Sequence, residues 1–436
     1  MKYIIIGGSA AAIQAVEALR SVDQRSSIEL FSDEETPLFS RVLLPYYVAE
    51  ELPKKLLNFR PITFFEDHEV TSHLGVRITE IDPDTRTITA DNGQKHEYDR
   101  LLIATGGKPI IPPIEGVDKK GIFPLKTMQD ADNIFNAQGK RAVVIGAGSI
   151  GVESCISLKR KGMDVTLVEQ LGRVLPTVFD DQASSIIRKR IEDLGIKVRT
   201  GEKAVRFHGN GFVTSLSTSE RDIECDLVVM SIGVTPNIEL AESAGLEIGT
   251  LGGIAVNDRM RTSAAGIFAA GDVVETQDIA LDKKSINAIW PCAVEQGKVA
   301  GLNMAGKKVL YPGSLRMNSI GNFIGQPAIS IGMVNAPVEE GGVEAGEQYQ
   351  EVVRSSKDTY RKLVLKGNRI VGATLVGDTQ KAGIFTVLIK KQIDVDEFVP
   401  LLMSHKLNFV EILPLIRRYS DKFKEIEYKE LMDTGL

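Results

Sequence analysis

Two glycine-rich turns, each set between a short apolar run and a helix-forming stretch, constrain this chain more than any other feature. In the second, Arg141 to Ile145 reads as a strand, Gly146-Ala147-Gly148-Ser149-Ile150-Gly151 as the turn, Val152 to Lys161 as a helix and Asp164 to Val168 as the next strand. The first glycine permits the tight turn. The second lets backbone N–H groups approach a pyrophosphate, and the third lets helix and strand pack closely. The helix N-terminus then presents its partial positive charge to the phosphates. The first turn, Gly7-Gly8-Ser9-Ala10-Ala11-Ala12, is a degenerate version after the apolar run Tyr3 to Ile6. Ser9 replaces the second glycine and Ala12 the third, and both are small enough for the same close approach. An Ala-rich helical stretch runs on to Arg20, and Ile28 to Phe31 is the following strand.

Strand, turn, helix and strand make a βαβ unit, and here the unit occurs twice. The later parts repeat as well. Asp99 to Gly106 leads to Pro109, Asp226 to Gly233 leads to Pro236, and both Asp-to-Pro spacings are ten residues. The chain therefore reads as an internal duplication with a long period. A further apolar run, Gly266 to Asp272, fits a strand returning to the first unit, so that the second is inserted in the first. The expected fold class is α/β, with two Rossmann-like units and a C-terminal α+β domain. The expected division is 1–113 with 246–325, then 114–245, then 326–436. In the last part, Tyr360 to Lys366 and Arg369 to Val376 read as a hairpin around Gly367-Asn368, with helical stretches after it. Arg417 to Leu436 reads as a solvated amphipathic helix.

Acidic residues stand where each unit needs them. Glu169 lies 18 residues after Gly151 at the end of the next strand, where a carboxylate accepts ribose hydroxyls and repels a 2′-phosphate; this favours NAD over NADP. In the first unit that place falls on Ser32, with Asp33 and Glu34 just beyond as candidates for the same role. Asp272, after Gly271, puts a carboxylate at a strand end near the first nucleotide. Pro291, after Trp290, is a helix-start signal, and the amides from there through Ala293 and Val294 would face a ring that gains negative charge on reduction.

Other chemistries are disfavoured. A net charge of −6 over 436 residues argues against nucleic-acid binding. The three cysteines, Cys155, Cys225 and Cys292, form no CxxC pair and none precedes residue 154. His68, His73, His96, His208 and His405 show no metal-ligand spacing, and His68 and His73 read as part of a solvated acidic loop, so no metal is expected. No apolar run is long enough to span a bilayer, and the expected location is cytoplasmic.

With these motifs in order (Gly7–Ala12, Thr105-Gly106, Gly146–Gly151, Gly233 with Pro236-Asn237, Gly271-Asp272), the chain resembles the two-dinucleotide flavoproteins of the pyridine nucleotide-disulfide oxidoreductase family. Phe39-Ser40-Arg41-Val42-Leu43-Leu44 and Leu375-Val376-Gly377-Asp378-Thr379 look most like the FAD/NAD module of NADH-dependent nitrite reductases and NADH:rubredoxin reductases. Leu44-Pro45-Tyr46-Tyr47 is similar to the CoA-disulfide reductases, but Val42 stands where that branch has its redox cysteine.

The resemblance implies FAD in the first unit, held by Gly7, Gly8, Ser9, Ala10, Ala11, Asp33, Glu34, Arg41, Thr105, Gly106, Gly271, Asp272, Pro291 and Ala293. It implies NAD(H) in the second, held by Gly146, Gly148, Ser149, Ile150, Gly151, Glu169 and Gly233. It further implies Glu153 as a catalytic group beside the nicotinamide, with Arg41 in place of the lysine that often pairs with it. The implied activity is hydride exchange between NAD(H) and FAD, with electrons passing singly to or from a rubredoxin, ferredoxin or other iron-sulfur partner. Two alternatives stand beside it: an FAD subunit of a larger oxidoreductase that reduces NAD⁺, and a non-enzymatic redox sensor. The C-terminal domain is the expected partner or oligomer surface.

Overall fold

The computed structural model describes residues 1–36, 38–321, 324–337 and 349–423. Strands β1 (Lys2–Ile6), β2 (Ser27–Ser32), β3 (Val70–Leu74) and β4 (Arg100–Ile103) pair in parallel around β1, with helix α1 (Ala10–Arg20) crossing over between β1 and β2. The next unit repeats this with β5 (Ile122–Pro124), β6 (Arg141–Ile145), β7 (Asp164–Glu169), β8 (Lys197–Thr200) and β9 (Leu227–Met230). Its helices are α2 (Met128–Asn136), α3 (Ser149–Arg160) and α4 (Asp181–Asp193). Strand β10 (Ile267–Ala269) then returns to the first sheet and pairs in parallel with β4. The sheet orders are β10-β4-β1-β2-β3 and β8-β7-β6-β9-β5, so both units share one spatial arrangement, with the edge strand contributed last in the first unit (β10) and first in the second (β5). Each also carries a three-stranded antiparallel meander, at residues 78–97 and 204–224.

The repeated aspartates have a structural reason. Asp99 Oδ2 accepts from the Lys2 amide at 2.7 Å, and Asp226 Oδ2 accepts from the Lys140 and Arg141 amides at 2.9 and 3.0 Å. Each therefore ties the start of its unit's central strand to a neighbouring strand. Ile4, Ile5, Val143 and Val144 lie between helices and are fully buried, as a parallel sheet covered on both faces requires. Helix α5 (Trp290–Met304) packs along α1. Gly297 and Gly301 make that approach possible: a Cβ on the first would overlap Ala11 O, and one on the second would lie 2.5 Å from Ala15 O.

Two features cross between the units. Gly107–Pro109 and Val234–Pro236 form an antiparallel ribbon. Thr105 Oγ1 donates to Asn237 O at 2.9 Å, and Asn237 Nδ2 donates to Thr105 O at 2.9 Å, which closes a reciprocal clasp. In addition, Phe39, Leu44, Tyr47, Val48 and Leu57 leave the first sheet and bury themselves in the core of the second unit. Ser157 Oγ donates to Pro45 O at 2.7 Å, and the Tyr47 ring stacks on Phe135 with centroids 4.8 Å apart.

The C-terminal part is an antiparallel sheet of β11 (Met317–Ile320), β12 (Ala328–Gly332), β13 (Tyr349–Ser355), β14 (Tyr360–Lys366) and β15 (Arg369–Val376), in the order β11-β12-β15-β14-β13. The hairpin expected at Gly367-Asn368 is present, with Lys366 opposite Arg369. Helices Ala382–Lys390 and α6 (Phe409–Arg418) cover one face. The helix expected from Arg417 onward instead ends at Arg418, before a short turn at Ser420–Lys422; residues 424–436 lie outside the described residues. Among the described residues, no helix is long and apolar enough to cross a membrane.

One expectation is corrected. His68 and His73 do not sit in a solvated loop: both are half-buried, His68 stacked on Phe64 and His73 within β3, stacked on Phe31 at 4.2 Å. Strand pairing of Val70–Leu74 with β2 overrides the acidic character of the residues before it.

Candidate functional site

The two glycine turns open into one cavity of about 2300 Å³ between the units, larger than the ~300–1,000 Å³ of ordinary ligand pockets. Of the residues assigned above to holding FAD or NAD(H) or to catalysis, all but Gly151 line it. That glycine lies behind the turn, where a Cβ would overlap Gly146 O.

Both turns have one construction. Gly7 has φ +127° and Gly146 φ +96°, a left-handed backbone that favours glycine. Their amides donate to Phe31 O at 2.7 Å and Val168 O at 2.8 Å. A Cβ on Gly7 would overlap Ala104 O, and one on Gly146 would come within 2.5 Å of Ser231 O. Helices α1 and α3 start directly after, and neither N-cap, Ser9 or Gly148, supplies a side-chain capping bond. The first-turn amides are therefore left for an anion. At Gly148 a Cβ would meet nothing within 4 Å, so the space over that turn is open. This is the cradle a pyrophosphate needs, and the residues present fit a dinucleotide in each unit.

Glu169 is buried and held by two backbone amides, Ala147 N on Oε2 at 2.7 Å and Leu171 N on Oε1 at 2.8 Å. Each carboxylate oxygen keeps a second lone pair for a ribose hydroxyl. Glu202 and Lys203 line the cavity nearby and were not legible from the motif. In the first unit, Asp33 is exposed and pairs with Arg77 at 3.2 Å. Glu34 is engaged by Arg41 through Nη2–Oε2 at 2.8 Å and Nη1–Oε1 at 3.1 Å.

That engagement alters the part expected of Arg41. Its guanidinium is committed to Glu34 and, through Nη1, to Lys126 O at 2.6 Å. A lysine that the sequence reading did not single out, Lys126, lies in the same wall. Its side chain is largely buried in the cavity wall, with Nζ 3.7 Å from Asp272 Oδ2. Burial pulls its pKa below the ordinary lysine value, helped by Arg41 and opposed by Asp272 and Glu34. A local signal existed. Thr127 and Asp130 form a capping box at the start of α2, and Asp130 Oδ2 also accepts from the Lys126 amide at 3.0 Å, which fixes the lysine at the helix entrance.

Glu153 lies on α3, half-buried at the cavity wall, and burial pushes its pKa up to about 7. Among the described residues no ion pair holds its carboxylate; its charge acts on the Tyr46 hydroxyl, whose pKa burial and Glu153 both raise. The start of α5 reaches the cavity at Pro291 and Ala293, again without a side-chain cap. Gly271 donates to Gln296 Oε1 at 2.8 Å, joining the end of β10 to this helix. Met317, Asn318, Ser319 and Ile329, from β11 and β12, complete the lining; no motif marks them in the sequence.

Among the described residues no cysteine lines the cavity. Cys155, Cys225 and Cys292 are all buried, and burial pushes their thiols up, to about 12 for Cys225 and about 11 for Cys292, which removes thiolate character. Val42 stands at the cavity, half-exposed.

Comparison with known proteins agrees with this geometry. Residues 1–297 match the family described as pyridine nucleotide-disulphide oxidoreductase, and residues 321–393 match the rubredoxin NAD+ reductase C-terminal domain. The chain is 28% identical over 456 residues to the NADH oxidase of Methanocaldococcus jannaschii, covering 98% of this chain and 100% of that one. It is 32% identical over 391 residues to the NADH-dependent phenylglyoxylate dehydrogenase subunit epsilon of Aromatoleum evansii, covering 88% of each. Among solved structures, the NAD-dependent persulfide reductase from A. fulgidus aligns with a TM-score of 0.85 at 29% identity, over 94% of this chain and 80% of that one.

Proposed function

We propose a function from one premise: the chain belongs to the pyridine nucleotide-disulphide oxidoreductase family and is an FAD-dependent NAD(P)H oxidoreductase. On that premise it passes electrons between NAD(H) and a one-electron protein carrier of the rubredoxin, ferredoxin or iron-sulfur type. FAD belongs to residues 1–113 with 246–325, NAD(H) to 114–245, and residues 326–436 form the interface domain. The observation that carries the reading is the absence of any thiol on the cavity among the described residues, with Val42 where a relay cysteine would stand. Without a thiol at that position the chain cannot form a mixed disulfide with a substrate there.

Bound, FAD supplies the conversion between the two-electron chemistry of nicotinamide and one-electron centres. The chain's residues bind and orient. The turns at Gly7 and Gly146 hold the pyrophosphates on the amides of α1 and α3. Glu169, fixed by two amides, positions a ribose and opposes a 2′-phosphate, so NADH is favoured over NADPH. The uncapped N-terminal end of α5 and the Lys126 cation stabilise negative charge at the flavin end. Glu153 carries a proton on a carboxyl oxygen below about pH 7 and releases it above.

The second reading, a flavin subunit of a larger oxidoreductase, is favoured by the Aromatoleum evansii relative, which is named as a subunit and matches over 88% of both chains. Stopped-flow mixing of the FAD-loaded chain with NADH tests the proposal. Bleaching of the oxidised flavin on the millisecond-to-second scale, followed by reduction of added rubredoxin or ferredoxin, is the expected result. Bleaching that is slower than seconds points to a sensor. Turnover of CoA disulfide faster than of any carrier overturns the reading.

A further inference from the structure

We propose that Glu29, His73 and His96 form a binding site for one zinc-class divalent cation on the first sheet. The three come from separate stretches of chain. Glu29 and Phe31 share a face of β2, and the parallel register sets His73 of β3 opposite Phe31, so Glu29 and His73 lie on one face. His96 comes over that face from Lys95–Glu97 in the meander. Nε2 of His73 lies 3.2 Å and Nδ1 of His96 2.9 Å from Oε2 of Glu29, and the three donor atoms all lie within 4.8 Å of one another.

Those spacings suit a tetrahedral centre. With zinc–ligand bonds of about 2.0–2.2 Å, the edge between two ligand atoms is about 3.3–3.5 Å. The two edges to Glu29, 3.2 and 2.9 Å, need to lengthen by only a few tenths of an ångström, and the His73–His96 edge, within 4.8 Å, settles to the same value as the cation binds. Two imidazoles and one carboxylate select zinc and its neighbours over calcium or magnesium. Water supplies the fourth ligand, because all three residues are half-buried and not sealed.

The surroundings hold the donors in place. His73 stacks on Phe31 at 4.2 Å and His96 meets the same ring edge-on at 4.9 Å, which fixes both imidazoles. Lys2 Nζ sits 2.7 Å from Oε1 of Glu29, orienting the carboxylate while leaving Oε2 to the cation. None of the three residues lines the nucleotide cavity, so the cation is structural: it clamps β2, β3 and the meander.

Titration of the chelator-stripped, FAD-loaded chain with zinc chloride, followed by calorimetry, tests this. One cation per chain is expected, with affinity falling at least about 10-fold in His73→Ala and in His96→Ala and unchanged in His208→Ala. Zinc should raise the unfolding midpoint of the native chain and not of the two site variants. Absence of saturable uptake at micromolar zinc, or uptake equal in native and both variants, overturns the site and leaves the trio as an ion-paired cluster. If a site variant fails to fold, crystals of the native chain soaked in zinc decide it. An anomalous peak bonded to all three donors supports the site, and a map with no peak there overturns it.

Discussion

At the scale of single residues, the site is governed by which charges are satisfied. Glu169 is a buried acid made affordable by two backbone amides, whereas Glu153 is half-buried without an ion pair among the described residues. The sign of its pH effect follows. An ordinary Glu titrates near ~4.3, and the folded chain holds this proton until about pH 7. Between those values the folded state binds the proton and the unfolded state has lost it, so the contribution of Glu153 to stability declines as pH rises, and it is gone above pH 7. Glu153→Gln should therefore be more stable than the native chain at pH 8, by on the order of 1–3 kcal/mol, with the difference vanishing towards pH 4–5. Denaturant midpoints without nucleotide at the two pH values check this. The rate of flavin reduction by NADH should titrate near pH 7 in the native chain and be flat in the variant; identical pH profiles would remove Glu153 from the reaction.

At the scale of elements, glycine does two jobs, one at a strand–helix junction and one inside a helix. Gly148 faces open space with φ −72°, so the fold tolerates a side chain there but a bound pyrophosphate does not. Gly297 faces Ala11 O across the α1–α5 contact. Gly148→Val should keep its unfolding midpoint within about 1 kcal/mol of native while NADH affinity drops at least about 10-fold. Gly297→Val should do the reverse in kind, losing ~1–3 kcal/mol or more through overpacking. A thermal scan paired with an NADH titration separates the two; retained NADH affinity in Gly148→Val would refute the nucleotide assignment of the second unit. The glycine pattern was readable because its cause is local, a turn and the helix that follows. The α1–α5 approach was not, because Gly297 and Ala11 are far apart in sequence.

At the scale of the whole molecule, the C-terminal sheet is fastened to the second unit by a buried polar cluster. Asp180 caps α4 by accepting from the Ala183 amide at 2.9 Å, and its other oxygen accepts from the Tyr360 hydroxyl at 2.6 Å. Lys362, almost fully buried, lies 3.3 Å from Asp180 and 2.9 Å from Glu351. Burial and Asp180 both push the Tyr360 pKa up, so this hydroxyl stays a donor. Lys362→Met leaves a buried carboxylate without its cation and should cost ~3–5 kcal/mol, with part recovered when Asp180→Asn is added. Unfolding midpoints of the single and double variants measure it; equal losses would show that the cluster acts only through shape. The fastening matters to the cavity, because β11 and β12 supply Met317–Ser319 and Ile329 to its wall.

The sequence by itself determined the two βαβ units, their duplicated turns, the acid at the end of β7 and the valine at position 42. Each of these is set by residues within one turn, one strand or one spacing, where local sterics and the helix dipole decide the outcome. Only the tertiary structure brought Lys126 beside Arg41 from 85 residues away, committed Arg41 to Glu34, buried Phe39, Leu44, Tyr47, Val48 and Leu57 in the neighbouring unit and drew Glu29, His73 and His96 together. Those contacts depend on which faces of separate sheets meet, and short-range pattern carries no information about that, because the apolar faces that drive the packing are interchangeable until a single arrangement buries all of them at once.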